Sequence, residues 1–246
     1  MLLFRSILFT AFMIISVPFY ALPGVLFIPL PFPLRYGYFR RWGVMIIWVL
    51  EIVCKLKHEI KGKENIPDGA GIIFCKHQSA WETLALQQIF PPQVWVLKRE
   101  LFWVPVFGGV LLSLDPIGIN RKSGRKAVNQ IVEQGTARLK QGRWIVIFPE
   151  GTRVAPGKRK RYGIGGAVLA EQSGYPVVPV AHNAGEYWPR RGLLKKPGTI
   201  KVVIGEPIDT KGRSADEINK IAEAWIEKTV AEISTLNPAE TGSEAP

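Results

Sequence analysis

Trp144-Ile-Val-Ile-Phe148, followed at once by Pro149-Glu-Gly-Thr-Arg153, is the stretch on which the fold turns. Five apolar residues, β-branched or aromatic, are too few for a helix and read as a strand buried on both faces. Just upstream, Ser123 is placed to cap a helix over 123–140, with Ala127, Val128, Ile131 and Val132 on one face and Gly142 at its end. Further back, 72–76 (IIFCK) reads as a buried strand after Gly69 and Gly71, 81–89 as a helix stopped by Pro91, 93–97 (QVWVL) as an alternating strand and 117–120 as a short one. Downstream, a helix over 165–172 closes at Gly174, and strands follow at 177–182 and 199–204. Ser214-Ala-Asp-Glu217 is a capping box opening a last helix to about Ile233. Strands alternating with helices imply an α/β fold, a mixed and largely parallel sheet flanked by helices.

Composition bounds the rest. The chain has 246 residues, 47% hydrophobic and 21% charged, with mean hydropathy +0.11, which excludes a disordered chain. Two cysteines, Cys54 and Cys75, exclude a disulfide-stapled fold, and His58, His77 and His182 lack metal-ligand spacing. The net charge of +12 is uneven: 206–246 carries nine acidic and four basic residues, so the basic excess lies in 1–205. A basic body suits a polyanion, whether nucleic acid, an anionic membrane or a phosphorylated substrate.

The N-terminus favours the membrane. Residues 6–34 carry no charge, long enough for a spanning helix, but Pro18, Pro23, Pro29, Pro31 and Pro33 interrupt them. A helix to about Pro18 or Ala21, followed by an irregular apolar turn, is expected. Arg35, Arg40 and Arg41 then stand beside Tyr36, Tyr38, Phe39 and Trp42, as at a headgroup boundary, before a second apolar stretch at 42–50 too short to span. A cleaved signal peptide is disfavoured by Phe19 and Tyr20 before Ala21. A single span with an interfacial helix remains open. A helical hairpin dipping into one leaflet is favoured, because basic residues flank both apolar pieces on one side. The density of aromatic and arginine residues argues against a soluble core helix pair. The chain therefore divides into a membrane-associated helical segment (1–58), an α/β domain (59–236) and a disordered tail (237–246).

Chemistry concentrates past the strand ends, where open α/β sheets bind ligands. His77 follows the 72–76 strand, and Glu82, near the first turn of the next helix, can hold one imidazole nitrogen and leave the other as a general base. After 144–148, Gly151 lets backbone approach a ligand, Thr152 offers a hydroxyl and Arg153 a forked cation suited to phosphate. Arg121 ends the 117–120 strand on what reads as the same edge. The basic loop Gly157-Lys-Arg-Lys-Arg161 suits anionic headgroups or an acidic acyl carrier. Each of these also has a plainer reading: a structural histidine, a turn, a solvated charge.

His77-Gln-Ser-Ala-Trp-Glu82, Ile117-Gly-Ile-Asn-Arg121, Phe148-Pro-Glu-Gly-Thr-Arg153 and Val177-Val-Pro-Val180 occur in this order. Over roughly 60–205 the chain resembles the glycerolipid acyltransferase family, within it the 1-acylglycerol-3-phosphate acyltransferases. The resemblance implies that His77 takes the proton of the sn-2 hydroxyl of lysophosphatidic acid while Glu82 holds the ring. The alkoxide then attacks the thioester of acyl-CoA or acyl carrier protein directly, giving phosphatidic acid. Glu150, Gly151 and Arg153, with Arg121, would hold the glycerol phosphate. No resident cofactor or metal is implied. The partners are a membrane lipid, the acyl donor and an anionic membrane surface, not nucleic acid, and the place is the cytoplasmic face of the cell membrane. Two positions depart from the family pattern: Glu82 stands where aspartate is usual, and Lys76 where many members have asparagine.

Rival readings keep other outcomes in view. Another lyso-lipid, such as lyso-ornithine lipid, could be the acceptor. Cys75, two residues from His77, could form an acyl-thioester. A non-catalytic binder of anionic membranes would leave His77 and Glu82 unexplained, and the basic residues form no nucleic-acid motif.

Overall fold

The α1 helix (Leu2–Gly24) runs past Pro18 to its end, and after a 3-10 turn at Val25–Phe27 the chain reverses into α2 (Phe32–Cys54). This comes from a computed structural model that describes residues 1–104 and 107–236; the tail, 237–246, lies outside the described residues. The helix expected to stop near Pro18 or Ala21 therefore continues. Pro18 and Pro23 each remove one donor, and the surrounding turns of α1 absorb both losses, so the chain reverses only where Pro29 and Pro31 follow closely. Pro31 caps α2 and Pro33 sits in its first turn, where a missing N–H costs nothing.

The body follows as β1 (Leu56–Lys61), β2 (Ile72–Cys75), α3 (Trp81–Ile89), β3 (Gln93–Lys98), α4 (Phe107–Ser113), β4 (Ile117–Ile119), α5 (Arg125–Lys140), β5 (Trp144–Ile147), α6 (Gly165–Ser173), β6 (Val177–His182), α7 (Ala184–Tyr187), β7 (Gly198–Ile204) and α8 (Ala215–Ile233). The seven strands form one sheet in the order β1-β7-β6-β2-β5-β3-β4. Every pairing is parallel except β6 with β7, so β1 and β7 run against the other five.

Side-chain alternation sorts the central strands into two cores. Ile73, Cys75, Trp144 and Val146 face α2 and α3, packing with Ile46, Leu50, Trp81 and Leu84. Ile72, Phe74, Ile145 and Ile147 face α5, α6 and α8, packing with Ile131, Leu139, Leu169 and Ile226. Gly166 lets α6 lie close on this second face: a Cβ there would sit 2.7 Å from the Phe74 ring.

Two further readings of the sequence are corrected, and one strand went unread. Ser123 does not cap α5; the chain makes a 3-10 turn over Arg121–Ser123 first, and Gly124, at φ +51°, is the N-cap. β1 went unread because Lys57, Glu59 and Lys61 alternate with its inward residues, as on an edge strand with one covered face; the division drawn at 58 falls inside it. The aromatic and arginine run at 35–42 is engaged partly with the body and partly with α1, where the Tyr38 hydroxyl donates to the Tyr20 carbonyl at 3.0 Å and Trp42 Nε1 to Ser16 Oγ at 2.9 Å. Arg35 pairs with Asp115 at 3.1 Å, Arg40 Nε donates to the Gln87 carbonyl at 2.8 Å, and Tyr36 and Phe39 are buried. An amphipathic stretch of this kind serves a protein contact as well as a lipid one.

Candidate active site

Beyond Cys75 the alternation of β2 continues for two residues. Lys76 turns toward α8 and His77 toward α3. Glu82, in the first turn of α3, meets the His77 ring, with Nδ1 and Oε1 2.8 Å apart. The Glu82 side chain is fully buried, and its oxygens also accept the Gln78 N–H at 3.0 Å and the Ser79 N–H at 2.8 Å. Burial pushes its pKa up, but the nearby His182, the His77 bond and the Ser79 N–H outweigh it, so the carboxyl lies below its ordinary value. An ionised carboxylate only accepts, so Nδ1 of His77 donates and Nε2 keeps a free lone pair. Nε2 has no partner among the described residues, and the side chain is 15% exposed.

The loop after β5 wraps this histidine. The Phe148 ring stacks on the imidazole, centroids 3.9 Å apart at 15°. Glu150 Oε2 accepts the His77 N–H at 2.8 Å, and the Val154 N–H donates to the His77 carbonyl at 2.7 Å. Gly151 adopts φ +68°, which only glycine takes without strain. Arg121 reaches across from the end of β4 and donates to the Gly151 carbonyl. The structure thus brings His77, Glu82, Arg121 and 148–153 to one edge of the sheet.

Their surroundings differ. Thr152 and Arg153 are half-buried, and no carboxylate pairs with Arg153 among the described residues. Glu150 is wholly buried, its other oxygen 2.7 Å from Lys76 Nζ. Cys75 is fully buried and its thiol is pushed well above its ordinary value, first by burial and then by Glu82 and Glu150. A nucleophilic cysteine needs the opposite shift and an open approach.

Sequence reasoning missed four residues. Lys76 is buried between Glu150 and Glu227, and Tyr162 donates to Glu227 Oε1 at 3.0 Å. His182, at the end of β6, holds the Lys76 carbonyl at 2.8 Å through Nε2 and accepts the Ala184 N–H at Nδ1. Burial keeps its pKa below the ordinary value. A lysine closing an otherwise apolar strand was the one visible signal.

Comparison with known proteins gives the family of the chain. A family model described as Acyltransferase matches residues 57–183, from β1 past the end of β6. The chain belongs to the acyltransferase family, and it is an enzyme. It is 46% identical over 211 residues to the 1-acyl-sn-glycerol-3-phosphate acyltransferase of Pseudomonas aeruginosa, covering 84% of this chain and 82% of that protein. It is 28% identical over 206 residues to the enzyme of the same name from Cocos nucifera, covering 81% of this chain and 65% of that one. Among solved structures it is similar to the 1-acyl-sn-glycerophosphate acyltransferase of Thermotoga maritima, with TM-score 0.77 and 25% identity over 96% of this chain and 99% of that chain.

Proposed function

We propose that this enzyme transfers an acyl group from a thioester, acyl-CoA or acyl carrier protein, to the sn-2 hydroxyl of 1-acylglycerol-3-phosphate, with His77 as general base. The observation that carries the reading is the His77 ring itself: held at Nδ1 by a buried, ionised Glu82 and free at Nε2. A ring so held takes the hydroxyl proton as the alkoxide attacks the thioester carbonyl, and the thiolate of the donor leaves. Glu82 then balances the imidazolium charge. Arg153 has the fork that binds a phosphate through two bonds, and Arg121 and Thr152 flank it. Glu150 is assigned to the loop rather than to the substrate, because both its oxygens are engaged inside the protein.

The acceptor is a lipid, and the N-terminal helices suit it. The helix over Leu2–Phe27 is long and apolar enough to cross a membrane. Its first half, however, is docked on the body. Phe9 is buried edge-on to Trp188 at 5.4 Å, Ser6 Oγ accepts the Lys195 N–H at 2.9 Å, and Thr10 Oγ1 accepts from Lys195 Nζ at 2.7 Å. Residues 14–27 alone reach roughly 21 Å at ~1.5 Å per residue, short of a ~30 Å hydrocarbon core. The two helices accordingly enter one leaflet as a hairpin, on the cytoplasmic side where thioester donors are found.

The test is turnover by the purified chain in vesicles with labelled acyl-CoA, lysophosphatidic acid and other lyso-lipids, lyso-ornithine lipid among them. Phosphatidic acid formed only from lysophosphatidic acid, and a loss of about 10²- to 10⁴-fold in folded His77→Ala, are expected. Product from a different lyso-lipid alone would reassign the acceptor, and an active His77→Ala would remove the base.

A further inference from the structure

Lys76 is 1% exposed. A buried ammonium persists only when paired, and Lys76 has two partners on two elements. Its Nζ lies 2.7 Å from Glu150 Oε1, on the loop after β5, and 2.6 Å from Glu227 Oε1, in the last third of α8. Glu227 is steadied in turn by the Tyr162 hydroxyl at 3.0 Å and approached by the exposed Arg159 at 3.7 Å. The second oxygen of Glu150 accepts the main-chain N–H of His77. One residue thus links the C-terminal helix, the 148–153 loop and the backbone of the histidine.

We infer that Lys76 is a positioning residue: its ammonium keeps Glu150 a carboxylate aimed at the His77 N–H, and its bond to Glu227 ties that clamp to α8. The inference rests on the reading of His77 as the base. Simple fold adhesion does not account for the arrangement as well. Replacing a buried ion pair by apolar side chains of like volume is often neutral or stabilising, so stability alone does not call for a lysine here. An apolar side chain could not hold a buried carboxylate ionised. Burial leaves the Glu150 pKa raised even beside Lys76, which is the largest influence pulling it back, so removing that ammonium 2.7 Å away removes the main support of the charged form. His77 is therefore fixed from two sides: its ring by Glu82 and Phe148, its main chain by Glu150 and Val154.

The experiment is a double-mutant cycle on the full chain in vesicles: Lys76→Met, Glu150→Gln, the double variant and Glu227→Gln, with His77→Ala as control. Turnover number, acceptor KM and thermal unfolding are measured for each. Lys76→Met should lose roughly 10- to 100-fold in kcat, the scale on which a misplacement of about 1 Å acts, with acceptor KM within about twofold. The double variant should recover to the level of Glu150→Gln, because the amide oxygen accepts the same N–H and carries no charge, while Glu227 keeps the Tyr162 hydroxyl and Arg159 as partners. Glu227→Gln should show a smaller loss, again in kcat. Wild-type kcat in folded Lys76→Met, losses that multiply in the double variant, or a loss confined to KM would each overturn the inference. If Lys76→Met does not fold, Glu150→Gln and the double variant decide: equal kcat supports it, and a further loss of about tenfold overturns it. An inactive His77→Ala beside fully active Lys76 variants would sink this inference alone, whereas an active His77→Ala would sink the base.

Discussion

Glu82 shows what one methylene does. From the first turn of α3 its carboxylate reaches the His77 ring while still receiving the N–H groups of Gln78 and Ser79, in the turn that precedes the Ala80 N-cap. Arg153 is the next residue to test. Lysine keeps the charge and loses the fork, so Arg153→Lys should raise the KM for the phosphorylated acceptor by about tenfold with little change for the donor; an effect on the donor alone would move the phosphate site elsewhere. Cys75→Ala, in the same assay, should leave turnover near wild type. His182 makes a pH prediction. Burial holds its pKa below the unfolded value of about 6.5, so its contribution to stability is complete above that pH and falls away as pH drops below it. Thermal unfolding at pH 7.5 and 5.5 should show a smaller drop for His182→Gln than for wild type, with the half-buried His58, shifted the same way by burial, supplying the remaining slope. At this scale the sequence was legible where site residues follow a strand within a few positions, as with His77, Glu82 and 148–153. It was not legible for Lys76 and Glu227, 151 residues apart, or for His182 and Lys76, 106 apart, because such pairings exist only once the sheet order is known.

Among elements, the alternation of strand and helix was readable because the central strands β2, β5 and β6 are short and, but for His182 at the end of β6, apolar, each with a glycine or proline within two residues of one end. β1 and α7 were not: one is a charged edge strand, the other a single turn. The α1 helix misled in a different way. Its composition speaks only of lipid, yet Ser6 and Thr10 lie on the stripe that meets the body. Ser6→Ala should therefore destabilise the protein by about 1–3 kcal/mol, by leaving the buried Lys195 N–H without an acceptor. Unfolding in detergent measures this. A serine facing lipid would give no loss on substitution, and that result would detach α1 from the body.

For the molecule as a whole, membrane attachment should reside at the far end of the hairpin. Phe19, Leu22 and Leu26 are 71%, 67% and 76% exposed, whereas removing all of α1 would also strip Phe9 from the core. Changing these three to glutamate should abolish sedimentation with anionic vesicles at high salt. Each apolar side chain withdrawn from lipid costs about 1.5–3 kcal/mol, while attraction to basic residues is ~1 kcal/mol each and is screened by salt. Full retention at high salt would place the anchor elsewhere.

The single antiparallel pairing, β6 with β7, has a consequence for how the substrate arrives. Because β1 follows β7, Leu56 begins beside Gly198, at the edge where β2, β5 and β6 end. The hairpin thus hands the chain to the sheet at the rim that carries His77; a β1 running the other way would bring it in at the opposite rim. Under the proposed reading, with the hairpin in the leaflet, that rim would face the bilayer, and a lysophospholipid acceptor would reach His77 by lateral diffusion, its tail still dissolved. The search would then be two-dimensional, and the cost of lifting an acyl chain into water would not enter the barrier.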